Sequence, residues 1–277
     1  MKTIGVFDSG FGGLTVLREL LPLIPDARYV YLGDTARLPY GSKSHETIAR
    51  YAISSARFLA DQGSDLLVIA CNTATALALE EIREALPLPI IGVVEPGAQA
   101  ALATASAGPL TVAKSHVLVL ATAATTQSGA YTRTLNGLGL RATEKACPLL
   151  VPLVEEDWLH QPAHSSVTLE VLRIYLLEAL EQAPDANILL LGCTHYPLLR
   201  PLIETTLKNL HHPMHIIDSA AATAHKVVTL IPDASPISAT APECTFYATD
   251  SIEKFQRLGS TFLRKALPEV KLVDLGG

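Results

Sequence analysis

The chain contains no apolar run near the roughly 18 residues that a membrane helix needs, and its stretches of Val, Ile and Leu break off well short of that. The apolar run nearest the start, Ile4–Phe7, is too short for the core of a secretory signal. Aromatic residues make up only 5% of the chain, which argues against a platform for stacking RNA bases. Lys and Arg are scattered, and the net charge of −6 leaves no basic footprint for nucleic acid. A cytoplasmic protein that binds neither nucleic acid nor membrane is the expectation.

Other absences narrow the chemistry. Cysteine is scarce, at four residues with no C-x-x-C, and in a cytoplasmic protein such cysteines are free thiols. Gly10-Phe11-Gly12-Gly13 follows a strand candidate, but Thr15 stands where a dinucleotide fingerprint wants its third small residue. No Gly-Lys-Ser/Thr follows these glycines, which excludes a P-loop. His211, His212 and His215 have no second cluster or suitably spaced carboxylate, so they read as a solvated loop rather than a metal site. No cofactor and no metal is expected.

The chain does have enough apolar content, 49% of 277 residues, to bury one or two cores without disulfides. Short Val/Ile/Leu-rich runs at Thr3–Phe7, Arg28–Leu32, Leu66–Ala70, Ile90–Val94, His116–Ala121, Ile188–Leu191, His215–Ile217 and Thr245–Ala248 read as strands covered on both faces. Amphipathic stretches lie between them at Leu14–Leu21, His45–Asp61, Ala74–Leu86, Val167–Glu181, Leu198–Leu210, Ala221–Leu230 and Ile252–Leu267. Such alternation predicts a parallel α/β architecture. The strands are many for one small sheet, so two facing parallel-sheet α/β domains are expected. The Ala/Ser/Gly-rich Ala98–Gly108 and the segment Pro148–Pro152 are candidate domain edges.

Ligands of open parallel sheets bind beyond the carboxyl ends of the strands. The expected strand ends carry Asp8-Ser9-Gly10, Gly33-Asp34-Thr35, Cys71-Asn72-Thr73, Glu95-Pro96-Gly97, Thr122 with Thr125, and Cys193-Thr194-His195. Two of them are alike: an apolar strand, a small residue, a cysteine, a polar pair and a helix, at Cys71 and at Cys193. A lone cysteine in either place would pass for a small core residue; the matched pair points to chemistry. A helix N-terminus favours thiolate over thiol, moving a cysteine toward neutrality, where it can act as general acid or base. Cys147 and Cys244 lack a polar strand-end setting and read as packing residues.

Two opposed thiols could invert a carbon centre, one removing a proton and the other returning it. Without an electron sink, such a site must stabilise developing charge with preorganised donors. Hydroxyls and backbone N–H groups near Ser9, Thr73, Thr122, Thr125 and Thr194 could hold a carboxylate. Asp8 and His195 are candidate orienting or relay groups for the two thiols, and Asp8 could also hold an ammonium. Their structural alternatives are a helix cap for Asp8 and a hydrogen-bonded core histidine for His195.

At this point the sequence resembles glutamate racemase, of the aspartate/glutamate racemase superfamily. The segments that carry the resemblance are Ile4–Gly10 with Gly12-Gly13-Leu14, Gly33–Arg37 with Pro39-Tyr40-Gly41, Ala70–Ala74, Ser128–Tyr131, Cys147-Pro148 with Val151–Glu155, and Gly192–Pro197. They follow the family's order along nearly the whole chain. The resemblance implies residues 1–97 with 210–277 as the domain carrying Cys71, residues 98–209 as the domain carrying Cys193, and an active site in the cleft between them. It implies catalysis by Cys71 and Cys193, acting on D- and L-glutamate respectively, with Asp8, His195 and Glu155 assisting. It implies substrate contacts from Ser9, Tyr40, Gly41, Asn72, Thr73 and Thr194, and from Thr122 and Thr125. A homodimer in the bacterial cytoplasm, making D-glutamate for peptidoglycan, is implied as well. No long N-terminal extension precedes the first strand candidate, so activation by a cell-wall precursor is not expected. An aspartate racemase or related isomerase, and a non-catalytic binding protein on the same fold, are the alternatives.

Overall fold

A computed structural model describes residues 1–107, 112–159, 162–231 and 242–276. The chain divides into two compact units, Met1–Val93 with Ala220–Gly277, and Val94–Ser219.

The first unit begins with β1 (Thr3–Asp8), α1 (Leu14–Leu23), β2 (Arg28–Gly33), α2 (His45–Asp61), β3 (Leu66–Ile69), α3 (Asn72–Ala85) and β4 (Ile90–Gly92). The second holds α4 (Val94–Ala107), β5 (His116–Ala121), α5 (Ala123–Ser128), α6 (Ala130–Gly137), β6 (Arg141–Ala146), α7 (Leu150–Glu155), α8 (Pro162–Gln182), β7 (Ile188–Gly192), α9 (Arg200–Asn209) and β8 (His215–Asp218). Helix α10 (Ser219–Thr229) leads back into the first unit from its second residue, and β9 (Cys244–Ala248), α11 (Ile252–Leu263) and β10 (Val270–Leu272) complete it.

Each unit is built on one all-parallel sheet, ordered β10-β9-β2-β1-β3-β4 in the first and β6-β5-β7-β8 in the second. The central strands β1, β3, β5 and β7 are buried along their length, as their unbroken apolar runs require. The order has a consequence for function. From β1 the chain moves outward to β2 and then returns to place β3 on the other side of β1; β5, β6 and β7 repeat the pattern. Each sheet therefore has a switch point, between the carboxyl ends of β1 and β3 and between those of β5 and β7, where parallel sheets open a crevice for ligands.

Several expectations are corrected. Strand β8 pairs with β7, Ile188 opposite His215, so the second unit extends to Ser219 and does not end near residue 209. The Ala-rich stretch expected at a domain edge belongs to helix α4, which opens the second unit; it is not a linker, since its small residues Ala98, Ala101 and Ala105 are buried where it packs on β7 and β8, and Gly108 lies outside the described residues. Alanine is the best helix former, and here its small size also allows close packing. Glu95-Pro96-Gly97 is the first turn of α4, not a strand end, because β4 stops at Gly92. Pro148–Pro152 runs into α7. Strand β6 is absent from the expected set because RATEKA carries no apolar run; as an edge strand it stays half exposed. The three residues of β10, at the other edge, are also polar in part.

Candidate active site

In the first unit, β1 and β3 run in register, Phe7 beside Ile69, and Ala70 N–H donates to the Phe7 carbonyl at 2.8 Å. This places Asp8-Ser9 next to Cys71. Cys71 is the N-cap of α3 and its sulfur accepts the Ala74 N–H at 3.4 Å. The thiol also lies 3.4 Å from Ser9 Oγ, in hydrogen-bonding contact. Asp8 is buried, and its Oδ2 accepts the Gly10 N–H at 2.9 Å. It does not cap α1, whose N-cap is Gly13. Asn72 and Thr73, the first residues of α3, are buried beside the thiol.

Glycines make this closeness possible. A Cβ on Gly13 would lie 2.5 Å from Asp8 Cβ and 2.9 Å from Ala70 Cβ, and one on Gly33 would lie 2.4 Å from the Gly10 carbonyl oxygen. Neither position can carry a side chain without moving backbone.

Tyr40 and Gly41 belong to a 3₁₀ turn, Tyr40–Ser42, that packs on α3, and Tyr40 shares a core cluster with Phe7, Cys71 and Ala74. Its hydroxyl donates to Asp34 Oδ2 at 2.5 Å. Asp34 Oδ1 and Oδ2 also accept Arg37 Nε–H at 2.8 and 2.7 Å, and Oδ1 accepts the Thr249 hydroxyl at 3.0 Å. Asp34 was not among the expected site residues. The sequence signal was there, an acid at a strand end three residues before an arginine, but only the fold shows that this carboxylate anchors Tyr40.

At Cys71 burial works against the expected thiolate. Burial pushes its thiol up to about 12, and the Asp8 carboxylate adds to the rise. The opposing donors, Ser9 and the Ala74 N–H, are outweighed, because a helix terminus contributes only a fraction of a charge.

In the second unit, Ala121 lies beside Gly192, so Thr122 and Cys193 occupy adjacent strand ends. Thr122 caps α5, its Oγ1 accepting the Thr125 N–H at 3.4 Å and lying 3.0 Å from Thr125 Oγ1. Both residues thus serve the local turn, Thr125 fully buried. Cys193, Thr194 and His195 are buried. A 3₁₀ turn, Tyr196–Leu199, separates them from α9, so Cys193 is not a helix cap in the way Cys71 is.

What faces Cys193 is an imidazole. His195 Nε2 lies 3.2 Å from Glu155 Oε1 at the end of α7, and Nδ1 lies 3.4 Å from Thr194 Oγ1; a further hydrogen bond joins the ring to the Cys193 thiol. Burial opposes the imidazolium, yet the hydrogen bonds and charges of Cys193 and Glu155 outweigh it and raise His195 to about 10.

Cys147 departs from the expected setting. It directly follows β6 on the same sheet edge, its N–H donating to the Ala121 carbonyl at 2.9 Å. Its thiol is fully buried, raised by that burial, and its carbonyl accepts the Tyr196 hydroxyl at 3.0 Å. Cys244 opens β9, at the amino end of that strand and away from the carboxyl edge where the other clusters lie. His212 Nε2 lies 2.7 Å from the Ala186 carbonyl, which ties down the histidine-rich loop.

Each unit thus offers a thiol at the switch point of a parallel sheet, one beside a carboxylate and one beside a carboxylate-backed imidazole. That is the equipment of an α/β protein able to move protons at a small polar ligand. Residues 14–227 match the Asp/Glu/Hydantoin racemase family. The chain is 48% identical to the glutamate racemase of Koribacter versatilis, with 99% of this chain and 98% of that protein covered. Solved structures of a glutamate racemase isoform from Bacillus anthracis (34% identity, TM-score 0.86) and of the Francisella tularensis glutamate racemase in complex with D-glutamate (32% identity, TM-score 0.85) each cover 99% of this chain and 98% of theirs. The chain belongs to the Asp/Glu/Hydantoin racemase family.

Proposed function

We propose that this protein interconverts L- and D-glutamate by proton transfer between the substrate α-carbon and two thiols, Cys71 and Cys193, with no cofactor. The observation that carries the reading is the repeated arrangement: a thiol at each sheet's switch point, with its own titratable partner. Inversion needs a base on one face of the α-carbon and an acid on the other, and the thiols take these roles, exchanging them with direction. Asp8 serves Cys71 and receives the substrate ammonium, while His195, steadied by Glu155, serves Cys193. Ser9, Tyr40, Gly41, Asn72, Thr73 and Thr194 hold the carboxylates, and Thr122 and Thr125 shape the rim of the site. The N-terminus of α3 adds backbone donors suited to a carboxylate. The full-length likeness to glutamate racemases supports glutamate as substrate, and D-glutamate as a supply for peptidoglycan in a bacterial cytoplasm. The working form is a homodimer.

The test is incubation of purified protein with L-glutamate, and separately with L-aspartate, in D2O without added cofactor. Chiral separation and mass spectrometry then read the products. D-glutamate carrying deuterium at the α-carbon is the expected product. Turnover of aspartate alone would reassign the substrate, and binding without exchange of the α-hydrogen would leave a binding protein.

A further inference from the structure

We infer that Thr249, in the loop after β9, is a positioning residue for the reaction. Its hydroxyl, acting through Asp34 and Tyr40, holds the Tyr40–Gly41 turn where that turn meets the substrate. The inference rests on the proposed contact of Tyr40 and Gly41 with substrate, and it adds a residue 215 positions from Asp34 in the chain that sets this contact.

Sheet register brings the two distant segments together. Strand β9 lies parallel to β2 with Ala248 opposite Gly33, so Asp34 and Thr249 are the next residues on adjacent strands. Thr249 N–H donates to the Gly33 carbonyl at 3.2 Å. The Thr249 hydroxyl has one proton to give, and it goes to Asp34 Oδ1 at 3.0 Å while the oxygen accepts the Ala36 N–H at 2.9 Å. Beside it, the Thr35 hydroxyl donates to the Asp250 carbonyl at 2.6 Å and accepts the Asp250 N–H at 2.9 Å. The two strand-end loops are clasped by two hydroxyls, one from each loop.

The bonds continue into the turn. Asp34 is buried, so the donors around its carboxylate decide which way it faces. Arg37 Nε–H reaches both oxygens, Tyr40 reaches Oδ2 and Thr249 reaches Oδ1. Arg37 and Tyr40 belong to the same short segment as Asp34 and move with it. Thr249 is anchored by β9, so it is the donor that ties the carboxylate, and with it the turn, to the sheet. Tyr40 spends its proton on Asp34, and its ring packs against Phe7 and Tyr51 at centroid distances of 6.2 and 6.1 Å. The side chain of Tyr40 therefore serves as the anchor, and the turn offers its backbone to a ligand.

Steady-state kinetics of the full chain on L-glutamate, read by chiral separation, test this with Thr249→Val, which keeps the shape and removes the hydroxyl. Thr249→Ala, which also removes it, is carried in parallel. A turn that holds ground state and transition state alike contributes uniform binding, so KM should rise with kcat little changed. A rise of about fivefold is expected, the net worth of one hydrogen bond. Thr249→Ser restores the hydroxyl and should return KM to within about twofold of the parent. In a Tyr40→Phe background, Thr249→Val should raise KM by a smaller factor than in the parent, because the path to the turn is already cut. A purely structural role would instead lower the urea midpoint and the active fraction, reducing apparent kcat and leaving KM in place. An unchanged KM, a loss confined to kcat, a serine variant no better than valine, or an equal KM rise in the Tyr40→Phe background overturns the inference. The parent protein separates the two levels. A parent that turns over no glutamate removes the racemase reading and this inference with it, whereas an active parent with any of those adverse results removes the inference alone.

Discussion

Asp34→Asn tests whether the carboxylate that reaches Tyr40 is a structural keystone of the first unit. The substitution keeps the shape and removes one charge. Asp34 is fully buried and Arg37 is 10% exposed, so the pair is dry enough for its loss to matter. An asparagine can keep its oxygen toward the Tyr40 hydroxyl, and Thr249 can turn its hydroxyl to accept from the new amide. Arg37, however, loses the only anion bonded to its Nε among the described residues. It retains Ser55 Oγ at 3.3 Å and the Tyr51 ring at 4.5 Å, which partly offset the loss. Removing one partner of a buried ion pair costs about 3–5 kcal/mol, and the retained contacts place this case near 3 kcal/mol. For a unit of this size the melting midpoint should fall by about 6–12 °C. Tyr40→Phe, which removes one hydrogen bond to a charged group, should cost about 1.5–3 kcal/mol. The double variant should fall short of the sum by 0.5 kcal/mol or more, since the two groups share a bond. Urea denaturation of the single and double variants supplies each value. A loss under about 1 kcal/mol for Asp34→Asn, or strict additivity, would refute the view that this carboxylate organises the turn.

Gly13→Ala should cost about 1–3 kcal/mol by overpacking and displace Asp8, so activity should fall more than thermal stability indicates; kinetics and calorimetry on one preparation check this. Cys71→Ser and Cys193→Ser should each lose racemisation while keeping the circular dichroism of the parent, and full activity in either would remove that sulfur from the mechanism. Hydrogen bonding by His116, then by Arg141, lowers Asp185 to about 2. A carboxylate depressed in the folded state contributes stability above its unfolded value near 4, and this is lost as pH falls toward 2. Asp185→Asn should therefore flatten the fall in stability between about pH 4 and 2, read from urea midpoints, and an unchanged slope would contradict the assigned bond.

The strand-forming runs and the polar clusters after them were legible because a doubly covered parallel strand must be apolar throughout and ends where the chain can become polar. The runs ending near Asp8, Cys71, Ala121 and Gly192 marked the residues of interest by composition alone. Strand β6 and helix α4 were hidden for opposite reasons. An edge strand such as RATEKA needs no apolar run, and an alanine-rich helix packed on a sheet has no strong amphipathic contrast. With β6 unseen, the strand-end position of Cys147 was hidden too.

What the sequence determined by itself was which residue types stand at strand ends, since local composition decides where a strand can run and stop. Strand order decided the rest. Placing β3 beside β1 and β7 beside β5 brings Cys71 to Ser9 and Cys193 to Thr122, neighbours set by sheet register across long stretches of chain. The setting of the Cys71 thiol likewise exists only in three dimensions, because burial and the nearby Asp8 carboxylate raise it, and a helix terminus read from sequence pointed the other way.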